Sequence, residues 1–322
     1  MILFQSSNIS DKHILLIFGV GLIGRSIVTG LKRHSDEHSL EHLPYSWSDS
    51  ADASADLKSI QNRLLECFSG DASVSRVSIV WSAGKAGFSA EATEVVTELD
   101  SFRHVLGMLE WLKIQLPGVR LGFHLLSSAG GLFEGQRYVT DVSEPAPKRL
   151  YGQLKLQQEM LLKELNSSID VQIYRPTSVY GFGGVGKRMG LIPTLISNGL
   201  LNKTSTIFGN LSTLRDYVLS DDIGDYIARS SLSEIADSRR LVHLLATGKP
   251  SSIFEVRACV EYVVRRRLAL KFTTALELEN SVDITVRRPK VNLRWNPTDL
   301  HSGVSSIKSQ MVFESLSTGE AS

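Results

Sequence analysis

Apolar residues along the chain keep two different rhythms. Ile14 to Phe18 is an unbroken apolar run that ends in glycine. Such a run fits a strand buried on both faces of a parallel sheet. From Leu22 to Leu31 the spacing is helical. A second strand is predicted near Leu40–Trp47, and Leu57, Ile60, Leu64, Leu65 and Phe68 repeat at helical spacing. Val77–Trp81 predicts a strand, Val95–Leu116 a long amphipathic helix stopped by Pro117-Gly118, and Leu121–Leu126 another buried strand. A helix over Leu150–Leu165 and a strand over Val171–Tyr174, ahead of Pro176, complete the pattern. Strands alternating with helices predict an α/β fold with a doubly wound parallel sheet. The second half is less regular. It holds a glycine-rich loop at Gly181–Gly186, helical spacing at Ile223–Leu232 and Ile253–Leu268, and strand-like alternation at Val282–Val286. The Ser-rich tail beyond Gly303 reads as a mobile terminus.

Bulk properties narrow the class. The 322 residues suit one large α/β domain, alone or with a smaller partner domain. A formal net charge of +1 supplies no global field toward nucleic acid or an acidic membrane, so neither is expected as a partner. Cys67 and Cys259 stand far apart, and the eight histidines show no ligand spacing, so no metal site is expected. Two isolated thiols suit a reducing cytosol. Met1–Lys12 is polar, without a basic start and long apolar run, and Ile14–Phe18 is too short to span a bilayer. A cytoplasmic protein is expected.

Gly19-Val-Gly21-Leu-Ile-Gly24 directly follows the first predicted strand and opens a helix. In that context GxGxxG is the Rossmann dinucleotide fingerprint. Its first glycine permits the tight turn, its second admits a pyrophosphate to the backbone, and its third lets helix and strand pack closely. The helix start at Leu22 and Ile23 would offer free N–H groups to the phosphates. An NAD site usually has an acid after the second strand, to hold the ribose 2′-hydroxyl. Asp49 is the candidate. If Ser46 or Ser48 takes that place, with Arg25 or Arg33 helping, the cofactor would be NADP. Both remain open.

Tyr151-Gly-Gln-Leu-Lys155 has YxxxK spacing, which puts both side chains on one helical face. A lysine beside a phenol favours the phenolate. Such a tyrosine can exchange a proton with an alcohol while hydride moves to or from nicotinamide. The spacing alone is weak and equally describes an ordinary helix start. Ser127-Ser128 after the strand Leu121–Leu126 strengthens it, because ligands gather at the C-terminal ends of parallel strands.

With these segments in view, the chain resembles the extended short-chain dehydrogenases, the NAD-dependent epimerases/dehydratases that act on nucleotide sugars. The resemblance runs from about His13 to Val304. It rests on the glycine loop, Ser127–Phe133, Glu144-Pro145 with Tyr151-Gly-Gln-Leu-Lys155 and Glu159, and Tyr174-Arg-Pro-Thr-Ser-Val-Tyr-Gly181. It continues through Gly190–Pro193, Ile207–Gly209, Arg215–Val218, Asp221–Ile223, Ala246–Phe254, Arg288-Pro289, Trp295–Pro297, Leu300 and Gly303. The resemblance implies a Rossmann domain over 1–176 with a return at 213–248. It implies a smaller substrate-binding α/β domain over 177–212 and 249–322. Tyr151 would be the acid/base, Lys155 its activator and a ribose ligand, and Ser128 the hydroxyl partner, with Ser127 as fallback. Tyr174 and Pro176 would join Gly19, Gly21, Leu22, Ile23, Gly24 and Asp49 around the cofactor. Ser178 would lie near the substrate nucleotide, and Arg215 and Arg288 would grip the diphosphate. Tyr180 would pack toward the nicotinamide. The dehydratases of this family carry an Asp-Glu pair where this chain has Gly130 and Gly131, which disfavours elimination. The helix over 95–116 would pair with a symmetry mate in a homodimer.

Three readings follow. The first is NAD-dependent C4 epimerisation of a nucleotide-diphosphate hexose through a 4-keto sugar. The second is NADPH-dependent reduction of a 4-keto nucleotide sugar by the same residues. The third is a non-catalytic dinucleotide sensor, against which Tyr151, Lys155 and the nearby serines count.

Overall fold

The computed structural model describes residues 1–8, 11–47, 50–69, 74–84, 86–87, 90–165, 167–184, 187, 189–208, 210–233, 240–273, 283–287 and 295–318. In chain order the first half gives β1 (Ile2–Asn8), β2 (Asp11–Phe18), α1 (Leu22–His34), β3 (His38–His42), α2 (Ser50–Ser69), β4 (Val74–Trp81), α3 (Ala92–Gln115), β5 (Arg120–Leu126), α4 (Ala129–Leu132), α5 (Leu150–Glu164) and β6 (Asp170–Pro176). The second half gives β7 (Ser178–Tyr180), α6 (Leu191–Leu200), β8 (Ser205–Phe208), β9 (Leu214–Leu219), α7 (Ser220–Leu232), β10 (Arg240–Leu245), β11 (Pro250–Ser252), α8 (Ile253–Val264), β12 (Leu270–Thr273) and α9 (Leu300–Thr318).

Two compact units result. The first comprises Met1–Leu132, Pro147–Arg175 and Gly224–His243. It is built on a seven-stranded sheet in the order β10-β6-β5-β4-β2-β1-β3. Strands β2, β4, β5 and β6 run parallel, with Ile17 beside Val80, Val80 beside His124, and Leu125 beside Ile173. Their continuous apolar runs are buried against helices, with Leu16, Phe18, Ile79, Trp81, Phe123 and Leu125 in one core cluster. This register brings the C-terminal ends of these strands to one edge. The glycine loop, Ser82–Gly84 and Ser127-Ser128 all follow from that edge.

The N-terminal segment departs from the expectation of a polar lead-in. Ile2, Leu3 and Phe4 are buried, and β1 pairs antiparallel with β2 on one side and with β3 on the other. A strand from the chain's own start is thus inserted beside the strand that leads into the glycine loop. The second predicted strand ends at His42, so Leu43–Trp47 is not strand.

The second unit comprises Phe133–Ala146, Pro176–Ile223 and Leu244–Ser322. It holds the three-stranded sheet β11-β9-β7 and the pair β12-β8. Segment 133–146 belongs here because Val139 bridges Val286 and donates its N–H to Thr285. That isolated bridge is what stands at the expected strand over Val282–Val286, where residues 283–287 are described. The Ser-rich tail is the helix α9 rather than a mobile terminus. Val304, Ile307 and Met311 form a buried stripe packed with Ile192, Leu195 and Ile196 of α6 and Val256, Val260 and Val264 of α8. That stripe, and not helix propensity, holds the serines in helical form.

Candidate active site

The glycine loop matches its predicted geometry. Gly19 has φ +91°, and a Cβ there would lie 2.4 Å from the backbone of Ala83. A Cβ on Gly24 would lie 2.0 Å from the Gly19 carbonyl oxygen, so this glycine lets α1 close onto the strand end. Around Gly21 a Cβ would meet nothing within 4 Å, so the backbone faces open space. Gly21 is the N-cap of α1 and places no side chain over the first turn, leaving its amides at Leu22 and Ile23 accessible to an anion. Ser82, at the end of β4, donates its hydroxyl to the Gly19 carbonyl at 2.6 Å and fastens the loop.

A cavity of about 450 Å³ opens beside the loop. It is lined by Gly19 and Gly21 of the loop, Ser82, Ala83 and Gly84 after β4, Thr97, Glu98 and Ser101 of α3, and Trp47. Trp47 is held edge-on by Tyr45 and Trp81, with ring centroids at 4.6 and 5.8 Å. Backbone amides, an open glycine and an aromatic plate fit a dinucleotide. The side chains of Ser82, Trp47, Glu94 and Glu98 were not singled out by sequence reasoning. Only the position of Ser82 directly after a buried strand carried a signal. Ser46 is occupied, since its N–H and hydroxyl both donate to Asp56 of α2 at 2.8 Å. Asp49, the ribose candidate, lies outside the described residues.

Tyr151 and Lys155 share one face of α5, with the Lys155 ammonium 5.9 Å from the Tyr151 ring centroid. Gly131 underlies the ring: a Cβ there would come within 3.0 Å of two Tyr151 ring carbons. Gly152 is equally constrained, because a Cβ would sit 2.2 Å from the Gly131 carbonyl oxygen. Gly131 is therefore a steric seat for Tyr151.

The two serines are engaged differently. Ser127 is buried and donates to Glu159 at 2.6 Å, and Glu159 is also gripped by the Arg175 guanidinium. Ser128 accepts the Gly131 N–H at 3.1 Å, capping α4, and among the described residues nothing accepts its hydroxyl proton. The Tyr174 side chain is committed to the sheet interior. It is fully buried, with His124 and Ser230 each 2.9 Å from its hydroxyl, and burial pushes its ionisation up. Its contribution to a cofactor site is limited to backbone.

The remaining site residues belong to the second unit. Pro176 opens its middle segment, Ser178 is half-buried on β7, and Arg215 is half-buried on β9 with a bond to the Leu214 carbonyl at 3.2 Å. Arg288 lies outside the described residues. Tyr180 is core: a Cβ on Gly303 would lie 2.0 Å from its hydroxyl, which explains that glycine. Asp216 is a buried hub that accepts from Thr177, from the backbone and hydroxyl of Thr247, and from the Gly248 N–H. Trp295 donates to the Ala246 carbonyl at 2.8 Å. Several motif residues of this half thus serve structure. Among the described residues no helix is long and apolar enough to cross a membrane, and no group of three or more His, Cys, Asp or Glu side chains is placed to hold a metal.

A mostly parallel sheet covered by helices, an open glycine loop at its C-terminal edge and a YxxxK helix beside it define a Rossmann-like protein. The profile of the NAD dependent epimerase/dehydratase family matches residues 15–234, more than half of the chain. The chain belongs to that family. Among solved structures it is similar to MoeE5 in complex with UDP-glucose and NAD, at 19% identity over 93% of this chain and 98% of that one, with a TM-score of 0.70. It is also similar to UDP-glucose 4-epimerase from Thermotoga maritima, at 18% identity over 93% and 98%, TM-score 0.69. A third is the ADP-L-glycero-D-manno-heptose-6-epimerase of Helicobacter pylori, at 14% identity over 94% and 97%, TM-score 0.67. At these identities the likeness shows the fold. No curated protein sequence matches the chain significantly.

Proposed function

We propose that the protein is an NAD-dependent nucleotide-sugar epimerase acting at C4 of a nucleotide-diphosphate hexose. The observation that carries this is the Tyr151–Lys155 pair on one face of α5, seated on Gly131. Bound nicotinamide dinucleotide would supply the hydride acceptor and donor. Tyr151 takes the proton of the C4 hydroxyl and returns it after the keto sugar turns over. Lys155 holds positive charge beside the phenol, and Ser128 donates to the reacting oxygen. Arg215 and Arg288 grip the diphosphate, Ser178 lies near the substrate base, and Glu159 keeps Ser127 out of the chemistry. UDP-sugars in complexes of similar proteins make UDP-glucose the first substrate to try.

NAD in a complex of a similar protein supports NAD as the cofactor here, and with it epimerisation rather than net reduction by free NADPH. A homodimer through α3 remains the expected assembly, and gel filtration checks it.

The test is to denature the purified protein and identify the released nucleotide, then to incubate the native protein with UDP-glucose. Bound NAD and formation of UDP-galactose are expected, and Tyr151→Phe should abolish turnover while NAD stays bound. Oxidation of NADPH with a 4-keto nucleotide sugar by an empty protein would replace this reading with the reductase. Full turnover by Tyr151→Phe would overturn the acid/base assignment.

A further inference from the structure

Lys155 is part of a closed, buried triangle. Its ammonium donates to Glu98 Oε1 at 3.1 Å and to Gln158 Oε1 at 3.0 Å. Gln158 Nε2 donates to the same Glu98 oxygen at 3.2 Å. Lys155 is 5% exposed, Glu98 9% and Gln158 0%. The second Glu98 oxygen turns to the loop after β4. The Ala86 N–H donates to it at 3.4 Å, and a Cβ on Gly84 would come within 2.9 Å of it. One carboxylate therefore joins α3, the cavity loop and the helix that carries Tyr151.

A buried ion pair is weak evidence of stabilisation, because desolvation offsets the attraction. Its place is more informative. Glu98 lines the dinucleotide cavity on one side and touches Lys155 on the other. We propose that Glu98 is the positioning residue for Lys155: it fixes the ammonium beside the Tyr151 ring and partly neutralises it, so that the Glu98 carboxylate sets the pH at which Tyr151 gives up its proton. This rests on the assignment of Tyr151 and Lys155 as the proton-transfer pair. Among the described residues, the charged and titratable groups in contact with Lys155 are Glu98 of α3 and Tyr151 of its own helix; Glu159, one turn further along α5, is paired with Arg175 of β6.

Two substitutions of opposite sign test it. Glu98→Gln removes the anion and leaves the lysine unopposed, so the acid limb of kcat/KM with UDP-glucose should move about one unit to lower pH. Gln158→Glu adds a second carboxylate against the ammonium and should move the limb to higher pH. Glu98→Asp keeps the charge and should leave the limb in place, with kcat reduced. The same shifts should appear in phenolate absorbance, each variant being titrated against its own Tyr151→Phe counterpart with NAD present. That readout needs no turnover, so it decides even if UDP-glucose is not the substrate. If Glu98→Gln does not fold, Gln158→Glu and Glu98→Asp carry the test. Unmoved titrations, or shifts of one sign in both Glu98→Gln and Gln158→Glu, would overturn the proposal. If those occur while Tyr151→Phe is inactive, only the role of Glu98 fails. If Tyr151→Phe stays active, the proton-transfer pair itself is wrong.

Discussion

Glu159→Ala removes the centre of the network that ties the active helix to the sheet. The carboxylate is 2% exposed and accepts from Ser127 Oγ at 2.6 Å, at the end of β5. It also takes Arg175 Nε at 2.9 Å and a second guanidinium nitrogen on its other oxygen. Arg175, itself 8% exposed, would lose both bonds of a bidentate pair while its charge stayed buried. Breaking a buried pair from one side costs about 3–5 kcal/mol. The stranded Ser127 hydroxyl adds about 1 kcal/mol or more, less whatever entering water restores. A loss of about 4 kcal/mol is expected, a large part of the roughly 5–15 kcal/mol that holds a domain folded. Urea unfolding followed by circular dichroism at pH 7 measures it. The double replacement Glu159→Leu with Arg175→Met removes both charges together and should be much milder than the single variant. A single-variant loss below about 1 kcal/mol, or a double variant worse than the single, would refute the account.

Three further outcomes are expected. Gly131→Ala pushes a Cβ to 3.0 Å from the Tyr151 ring, and kcat should fall on the order of 100-fold with little change in NAD affinity; unchanged turnover would show that the ring is not seated there. Trp47→Ala removes the aromatic lining of the cavity and should weaken NAD binding about tenfold or more, read by calorimetry, with unaltered affinity counting against a role for this ring in cofactor binding. Stability should also fall in mild acid. Burial, aided by the nearby Arg76 charge, pushes His124 down to about 3, and burial pushes His243 down to about 4. Both stay neutral in the folded protein while the unfolded chain takes up protons from about pH 6.5 downward, so stability is whole above that pH and declines toward pH 4. Each histidine should contribute about 2 kcal/mol of loss between pH 7 and 5. His124→Gln with His243→Gln should flatten that dependence in urea titrations, and an undiminished slope would exclude these two groups.

Much of the first unit was legible in the sequence. Long apolar runs and helical stripes are local signals, and burial on both faces of a parallel sheet imposes them directly. The glycine loop was legible because only glycine tolerates φ +91° at Gly19 and the approach of 2.0 Å at Gly24. YxxxK was legible as spacing, because one helical turn places the two side chains together whatever surrounds them. The inserted strand β1 was not. Ile2-Leu-Phe4 is three residues long, and only its partners β2 and β3 make it a strand. Helix α9 was hidden in the same way, as its stripe of Val304, Ile307 and Met311 is sparse among serines until α6 and α8 cover it.

The sequence by itself determined the parallel strands of the sheet, the phosphate-type loop and the pairing of Tyr151 with Lys155, since each leaves a local pattern: unbroken apolar runs, glycine spacing and a single helical turn. Tertiary structure decided what those residues touch. It set Ser127 on Glu159, Tyr174 against His124, and Lys155 on Glu98, at separations of 32, 50 and 57 residues. No local pattern encodes such bonds, because they arise only when strands and helices distant in sequence are packed around one core.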